Sequence, residues 1–181
     1  MNYIIFDLEA TCWPEKGKHI SEIIEIGALK ISDKQIIVSE FNCFIKPINH
    51  PILSEFCKNL TSITQAEIDK SELFPSVIEK FRQWIDLENE DYLLCSWGYY
   101  DRKQLIADCN LHQFDFEWAS KHISLKHQYA DIKKLNRPIG LGKAISSEGM
   151  QFEGTAHRGI NDAKNIARIF LRYFNDWELN A

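Results

Sequence analysis

Two acidic residues near the start of the sequence, Asp7 and Glu9, could bind a metal ion from one face of a β-strand. Asp7 and Glu9 are one residue apart in the otherwise apolar segment 3–9. In a strand, residues i and i+2 point to one face, about 6.6 Å apart at roughly 3.3 Å per residue. Two carboxylates that close in a dry site repel unless a cation lies between them, and Mg²⁺ or Mn²⁺ prefers oxygen ligands. The alternative is an edge strand with one solvated face.

Three further residues could take part in the same chemistry. Asp101 follows the apolar run 92–97 and stands at or just before a helix, where ligands gather in α/β sheets. His157 is predicted in a loop and Asp162 in the first turn of the last helix, so the imidazole could reach a water beside the acid. Taken separately, each has a structural alternative: a helix N-cap, a surface histidine, and an acid favoured by the helix dipole.

The strands that must position these residues follow from periodicity. Residues 3–9 alternate with a period of two, which predicts a strand. Segments 22–31 and 36–46 are predicted as two further strands, and the short polar SDKQ between them indicates a hairpin. The apolar run 92–97 is typical of a buried strand, and a weak strand is predicted near Ile123.

Helix signals occupy much of the remaining sequence. Thr64 and Glu67 fit a capping box, and Pro75 suits the first turn of a helix. Further helices are predicted over 101–109, 141–148 and 160–174. This order predicts an α/β fold, a mixed sheet flanked by helices with an antiparallel hairpin at one side, as one domain over residues 1–181.

Composition limits the classes of function. With 181 residues and 45% hydrophobic content, the chain can bury a hydrophobic core without disulfides or other cross-links. Its five scattered cysteines predict reduced thiols and a cytoplasmic protein. No apolar run is long enough to span a bilayer and no signal peptide precedes Asp7, so no membrane association is expected. A net charge of −5 argues against non-specific binding of nucleic acid over a large surface, but it allows a small site that binds a few nucleotides.

The five residues in this order resemble the signature of the DEDDh 3′-5′ exonucleases: Asp-x-Glu on the first strand, a middle Asp, and His-x4-Asp opening the last helix. Other segments resemble the family's motifs in register over nearly the whole chain. They are FDLEATCW, HISEIIEIGALKI, FCKNLTSITQAEID, SWGYYDRKQL and GLGKAISSEGMQFEGTAHRGINDAKNIARIF. The likeness is strongest to the subgroup of the histone-mRNA 3′-end exoribonuclease and the bacterial sporulation-inhibitor-like exonucleases.

The resemblance implies a ribonuclease-H-like fold and a 3′-5′ exonuclease acting on single-stranded nucleic acid, with RNA favoured and DNA possible. Cleavage would start at a free 3′ hydroxyl and release nucleoside 5′-monophosphates by a two-metal mechanism. The resemblance assigns Asp7, Glu9, Asp101 and Asp162 to two Mg²⁺ or Mn²⁺ ions. It assigns His157 as the general base.

Substrate-binding residues are implied in the same way. Ala10 and Thr11 would approach the terminal sugar through backbone atoms, and Phe56 and Tyr100 would stack on the terminal base. Relatives carry a different aromatic residue beside the middle Asp, and ordinary core packing is the alternative for both rings. The expected partner is a single-stranded 3′ end, with no protein partner. Two other functions stay open, an oligonucleotidase for very short substrates and a non-catalytic nucleic-acid-binding regulator on the same fold.

Overall fold

The computed structural model of the protein describes residues 1–15 and 17–179 and places six strands in one mixed sheet. The strands are β1 (Asn2–Ala10), β2 (Ile23–Ser32), β3 (Ile37–Lys46), β4 (Glu72–Leu73), β5 (Tyr92–Ser96) and β6 (His122–Ser124). Their order is β4-β3-β2-β1-β5-β6, with β1 antiparallel to β2 and parallel to β5. The predicted hairpin is confirmed as β2 and β3. Residues 16, 180 and 181 of the predicted domain lie outside the described residues.

Strand β1 lies in the middle of the sheet, and its two faces enter different parts of the core. Ile4, Phe6 and Leu8 belong to one hydrophobic cluster, whereas Tyr3 and Ile5 belong to another. The predicted period of two is therefore confirmed. The edge-strand alternative is wrong, because β2 and β5 flank β1 and both of its faces are covered.

Helices cover the two faces of the sheet. Those described are α1 (Glu55–Thr61), α2 (Gln65–Lys70), α3 (Phe74–Ile85), α4 (Tyr100–Leu111), α5 (Leu125–Ile132), α6 (Leu141–Ser147), α7 (Gly159–Arg172) and a 3₁₀-helix (Glu117–Ser120). Helices α3 and α4 pack on one face, and α5, α6 and α7 on the other. Among the described residues, no helix is both long enough and apolar enough to cross a membrane.

The local helix signals agree with the structure in most places. The capping box of Thr64 and Glu67 begins α2, and Pro75 lies in the first turn of α3. Asp101 lies inside the first turn of α4, where Tyr99 occupies the cap position, so the N-cap alternative for Asp101 is wrong. The last helix ends at Arg172, two residues before the predicted end.

The start of α7 lies directly against the backbone of β2, because glycine occupies both contact positions. A Cβ atom on Gly27 would lie 2.0 Å from the backbone nitrogen of Ile160, and one on Gly159 would lie 3.0 Å from the carbonyl oxygen of Asp7. The strand register places Gly27 opposite Asp7. This close approach brings the first turn of α7, with Asp162, to the acidic end of β1.

Candidate active site

A cleft of about 800 Å³ lies where β1 and β5 end, and all five residues of the predicted signature line it. Two of them come from β1, one from the first turn of α4, one from the loop before α7, and one from the first turn of α7. The structure therefore brings together residues from the two ends and the middle of the chain. They are Asp7, Glu9, Asp101, His157 and Asp162.

Asp101 is held against β1 at the point where β5 has ended. The parallel pairing of β1 with β5 stops at Ile5 and Cys95, so the end of β1 extends beyond its neighbour. The backbone N–H of Leu8 instead donates to Oδ1 of Asp101 at 3.2 Å. This bond places the Asp101 carboxylate beside the stretch of β1 that carries the other two acids.

His157 is fixed in the loop that enters α7. Its backbone is in the left-handed region (φ 61°), which a residue other than glycine adopts at a cost of about 1–3 kcal/mol and which recurs at functional sites. Its N–H donates to Oδ2 of Asp162 at 2.9 Å. A ring nitrogen of His157 and one carboxylate oxygen each from Glu9 and Asp162 lie within 4.8 Å of one another. Asp7 and Asp101 line the same cleft around this group.

Burial and mutual repulsion disfavour the ionised form of the carboxyl groups in the cleft. Burial, followed by the charges of Asp162, Glu25 and Asp101, raises the pKa of Glu9 to about 8. Burial raises the pKa of Asp101 and that of Asp162 to about 6 each. Burial and the same neighbouring acids raise the pKa of Asp7 well above its ordinary value. Bound cations would relieve this repulsion, and carboxylate oxygens are the ligands that hard divalent cations prefer.

Glu25 is a buried carboxylate at this site that the sequence analysis did not single out. It lies opposite Glu9 in the β1–β2 register and is completely buried. Its Oε2 accepts hydrogen bonds from Nε of Arg158 at 3.2 Å and from the N–H of Gly159 at 3.0 Å. Its Oε1 has no hydrogen-bond partner among the described residues. The signal in the sequence was a glutamate inside the apolar run 23–29 of β2.

Of the four residues predicted to bind substrate, only one lines the cleft. Tyr100 lines the cleft and is 57% exposed, and Phe56 on α1 is 41% exposed, so core packing does not explain either ring. Ala10 and Thr11 are buried at the end of β1. The described residues that line the cleft do not include Phe56, Ala10 or Thr11. Two aromatic residues that the sequence analysis missed, Trp97 and Phe152, do line it.

Comparison with known proteins identifies the family. A family model for exonucleases, RNase_T, matches residues 4–170. The chain is also similar to the solved nuclease domain of 3′hExo, a DEDDh family member, bound to rAMP. The TM-score is 0.90 with 31% identity, over 99% of this chain and 94% of that one. This chain belongs to the DEDDh exonuclease family.

Two exoribonucleases match nearly the whole chain but are longer. The chain is 31% identical to 3′-5′ exoribonuclease 1 of Homo sapiens, over 95% of this chain and 52% of that protein. It is 32% identical to ERI1 exoribonuclease 2 of Danio rerio, over 96% of this chain and 35% of that protein. The chain thus spans about half the length of the first relative and about a third of the second. The predicted DEDDh resemblance and ribonuclease-H-like fold are confirmed.

The DEDDh family implies divalent metal ions, and the cleft fits them. The fit rests on the donor set of this chain, four carboxylates converging in one cleft, each with a pKa raised by burial. Such a group is stable in its ionised form only when cations offset its charge.

Proposed function

We propose that the protein is a metal-dependent 3′-5′ exonuclease that degrades single-stranded nucleic acid from a free 3′ hydroxyl, RNA in preference to DNA. The observation that carries this proposal is the convergence of four carboxylates and His157 in one cleft. The exoribonuclease names of the relatives and the rAMP bound to the 3′hExo nuclease domain support RNA as the substrate class. The products would be nucleoside 5′-monophosphates.

The acids and the histidine have separate roles in this proposal. Asp7, Glu9, Asp101 and Asp162 would hold two Mg²⁺ or Mn²⁺ ions, which when bound would supply Lewis acidity to the phosphodiester and to the attacking water. His157 accepts the proton of the attacking water as general base. Its N–H bond to Asp162 supports this role, because that bond holds the loop with a ring nitrogen near two of the acids.

The substrate end would be read on the α1 and α4 side of the cleft. Ala10 and Thr11 would contact the terminal sugar through backbone atoms, while Phe56 and Tyr100 would stack on the terminal base. The exposure of both rings supports this assignment. Residues 1–181 would act as one domain, since the site takes its residues from both ends of the chain.

The test uses RNA and DNA strands of one sequence, labelled at the 5′ end, with Mg²⁺, Mn²⁺ or excess EDTA. We expect a ladder of products shortened one nucleotide at a time from the 3′ end, with no cleavage in EDTA. A 3′-phosphate should block cleavage, and Asp162→Asn serves as the inactive control. Full activity in EDTA, or cleavage of a circular strand, would contradict the proposal.

The same assay separates the two other functions. A dinucleotide tested beside the long strand identifies an oligonucleotidase if only the dinucleotide is cleaved. Binding of the long strand without cleavage of either substrate would indicate a non-catalytic regulator.

A further inference from the structure

Trp13, His19 and His50 form an aromatic group at the surface, called here the Trp13 cluster. The ring centroids are 4.5 Å apart between Trp13 and His19, 4.8 Å between Trp13 and His50, and 5.0 Å between the two histidines. His19 is exposed, and the other two residues are half-buried. The cluster therefore presents an indole and two imidazoles to solvent at one place.

The environment of Trp13 differs from that of the other tryptophans. The chain has five, and four of them belong to or pack against the two main core clusters: Trp84, Trp97, Trp118 and Trp177. Trp13 belongs to none of the three core clusters found among the described residues. An indole brings a large apolar surface and one N–H donor, a combination that suits a binding surface. Core packing therefore does not account for Trp13.

One buried residue, Glu22, holds two segments of the Trp13 cluster in place, one through its side chain and the other through its backbone. The Glu22 carboxylate, 1% exposed, accepts hydrogen bonds from the backbone N–H groups of residues 48–50 at 2.7, 2.8 and 3.3 Å. The N–H of Glu22 donates to Oγ1 of Thr11 at 2.9 Å, and the N–H of Thr11 donates to the carbonyl of Glu22 at 2.8 Å. Glu22 thus fixes the loop of His50 and the chain leading to Trp13, so the segments of these two rings are held before any ligand arrives.

The Trp13 cluster is joined to the proposed substrate-binding end of the cleft. Trp13 comes two residues after Thr11, at the end of the segment proposed to contact the terminal sugar. The carbonyl of Cys12 accepts a hydrogen bond from Oγ of Ser54 at 2.6 Å, and Ser54 is the N-cap of α1, the helix that carries Phe56. The Trp13 cluster therefore lies beside the two segments that are proposed to contact the terminal sugar and base, 10–11 and α1.

We propose that the Trp13 cluster is a second base-binding subsite, which takes a nucleotide upstream of the 3′-terminal one. The indole stacks on the base, and the N–H groups of His19 and His50 donate to the neighbouring phosphate. Stacking tolerates every base, as a non-specific exonuclease requires, and it does not depend on a basic surface, which a chain with a net charge of −5 lacks overall. This inference takes its substrate class from the proposed function.

The test compares two ligands of different reach. Adenosine 5′-monophosphate fills only the terminal pocket, whereas a hexa-adenylate labelled at its 5′ end also reaches the Trp13 cluster. Binding is measured on the full chain in Mg²⁺, in a His157→Ala background that slows cleavage, by anisotropy for the hexamer and by competition for the monophosphate. We expect Trp13→Ala to weaken hexamer binding about fivefold or more and to leave monophosphate binding unchanged.

Control variants keep the outcome decisive. Trp13→Phe retains an aromatic ring and should bind the hexamer nearly as the parent does. Ile52→Ala changes a residue that is 77% exposed in the segment after His50 and should have no effect. Unchanged hexamer binding in Trp13→Ala would overturn the proposal, as would an equal loss for both ligands. Because the readout is affinity, the comparison still decides this inference if the wild-type protein proves inactive as a nuclease.

Discussion

Glu25 of β2 accepts a hydrogen bond from the backbone N–H of Gly159, the first residue of α7, across 3.0 Å. The same carboxylate oxygen accepts from Nε of Arg158 at 3.2 Å. The β2–β3 hairpin, which lies next to β1, is thereby bonded to the loop that carries His157 and to the helix that carries Asp162. The position of the proposed base thus depends on a residue outside the DEDDh signature.

Removing the Glu25 carboxylate should therefore affect both stability and turnover. Glu25→Ala leaves the buried N–H of Gly159 without its acceptor, and an unpaired buried donor costs about 1–3 kcal/mol, so the free energy of unfolding should fall by that order. We expect kcat to fall more than KM rises, because the loop of His157 loses its anchor. Urea unfolding and steady-state kinetics measure the two effects. Glu153→Ala is the control, since the Glu153 side chain that pairs with Arg168 is 66% exposed and should contribute below about 1 kcal/mol.

The contact between Gly27 and the start of α7 leads to a second prediction. A Cβ atom at residue 27 would lie 2.0 Å from the nitrogen of Ile160, so Gly27→Ala forces helix and sheet apart. We expect destabilisation of at least about 1–3 kcal/mol, together with loss of activity because Asp162 moves with the helix. Gly142→Ala places its Cβ in open space in α6 and should be neutral or stabilising. Equal melting temperatures for the two variants would contradict the close-contact account.

Much of this arrangement could be predicted from the sequence, because its signals are local. The alternation in β1, the capping box at Thr64 and the apolar face of α7 are each contained in a short window, and the structure confirms all three. The five site residues were predicted from their order along the chain, which resembles the DEDDh signature.

The features that the sequence analysis missed depend on contacts between distant segments. The role of Glu25 follows from its register opposite Glu9 and its bond to α7, and the Trp13 cluster follows from the folding of two loops onto Glu22. The sequence analysis also missed the short helices α1 and α5, which have seven and eight residues. Tertiary packing stabilises helices of that length, and no local pattern reports it.

Stability without metal should fall as the pH rises. Glu9 has a pKa of about 8, and Asp101 and Asp162 have pKa values of about 6, against about 4 for such groups in an unfolded chain. The folded state therefore binds more protons than the unfolded state from about pH 4 to pH 8, so the free energy of unfolding decreases across that range. We expect the Tm in EDTA to be lower at pH 8 than at pH 5.

Metal should reverse this dependence, because cations bind the ionised carboxylates. Mn²⁺ should raise the Tm more at pH 8 than at pH 5, by mass action on the folded state. Glu9→Gln removes the group with the pKa of about 8 and should flatten the profile in EDTA. A Tm in EDTA that rises between pH 5 and pH 8 would show that the acids are not buried together as described.

His157→Ala tests the proposed base. General-base catalysis contributes about 10²–10⁴-fold, so turnover should fall by a factor in that range. Mn²⁺ affinity, measured by calorimetry, should change little if His157 acts on water, and should fall clearly if the imidazole that lies near Glu9 and Asp162 is a ligand. His127→Ala is a control for loss of an imidazole outside the cleft. Wild-type turnover in His157→Ala would exclude His157 from the chemical step.

Tyr100 and Phe56 should differ in their effect on substrate binding. Tyr100 lines the cleft and Phe56 does not, although both rings are exposed. Stacking of a base on an aromatic ring is worth about 1–3 kcal/mol, so Tyr100→Ala should raise KM for single-stranded RNA roughly tenfold, with a smaller fall in kcat. Phe56→Ala should act in the same direction but less. Tyr100→Phe keeps the ring and loses only a 3.5 Å contact with Gln104, so its KM should stay near the wild-type value. If Tyr100→Phe and Tyr100→Ala raise KM equally, the Tyr100 hydroxyl and not the ring binds substrate. The base would then stack elsewhere, and Trp97 and Phe152 are the other aromatic residues that line the cleft.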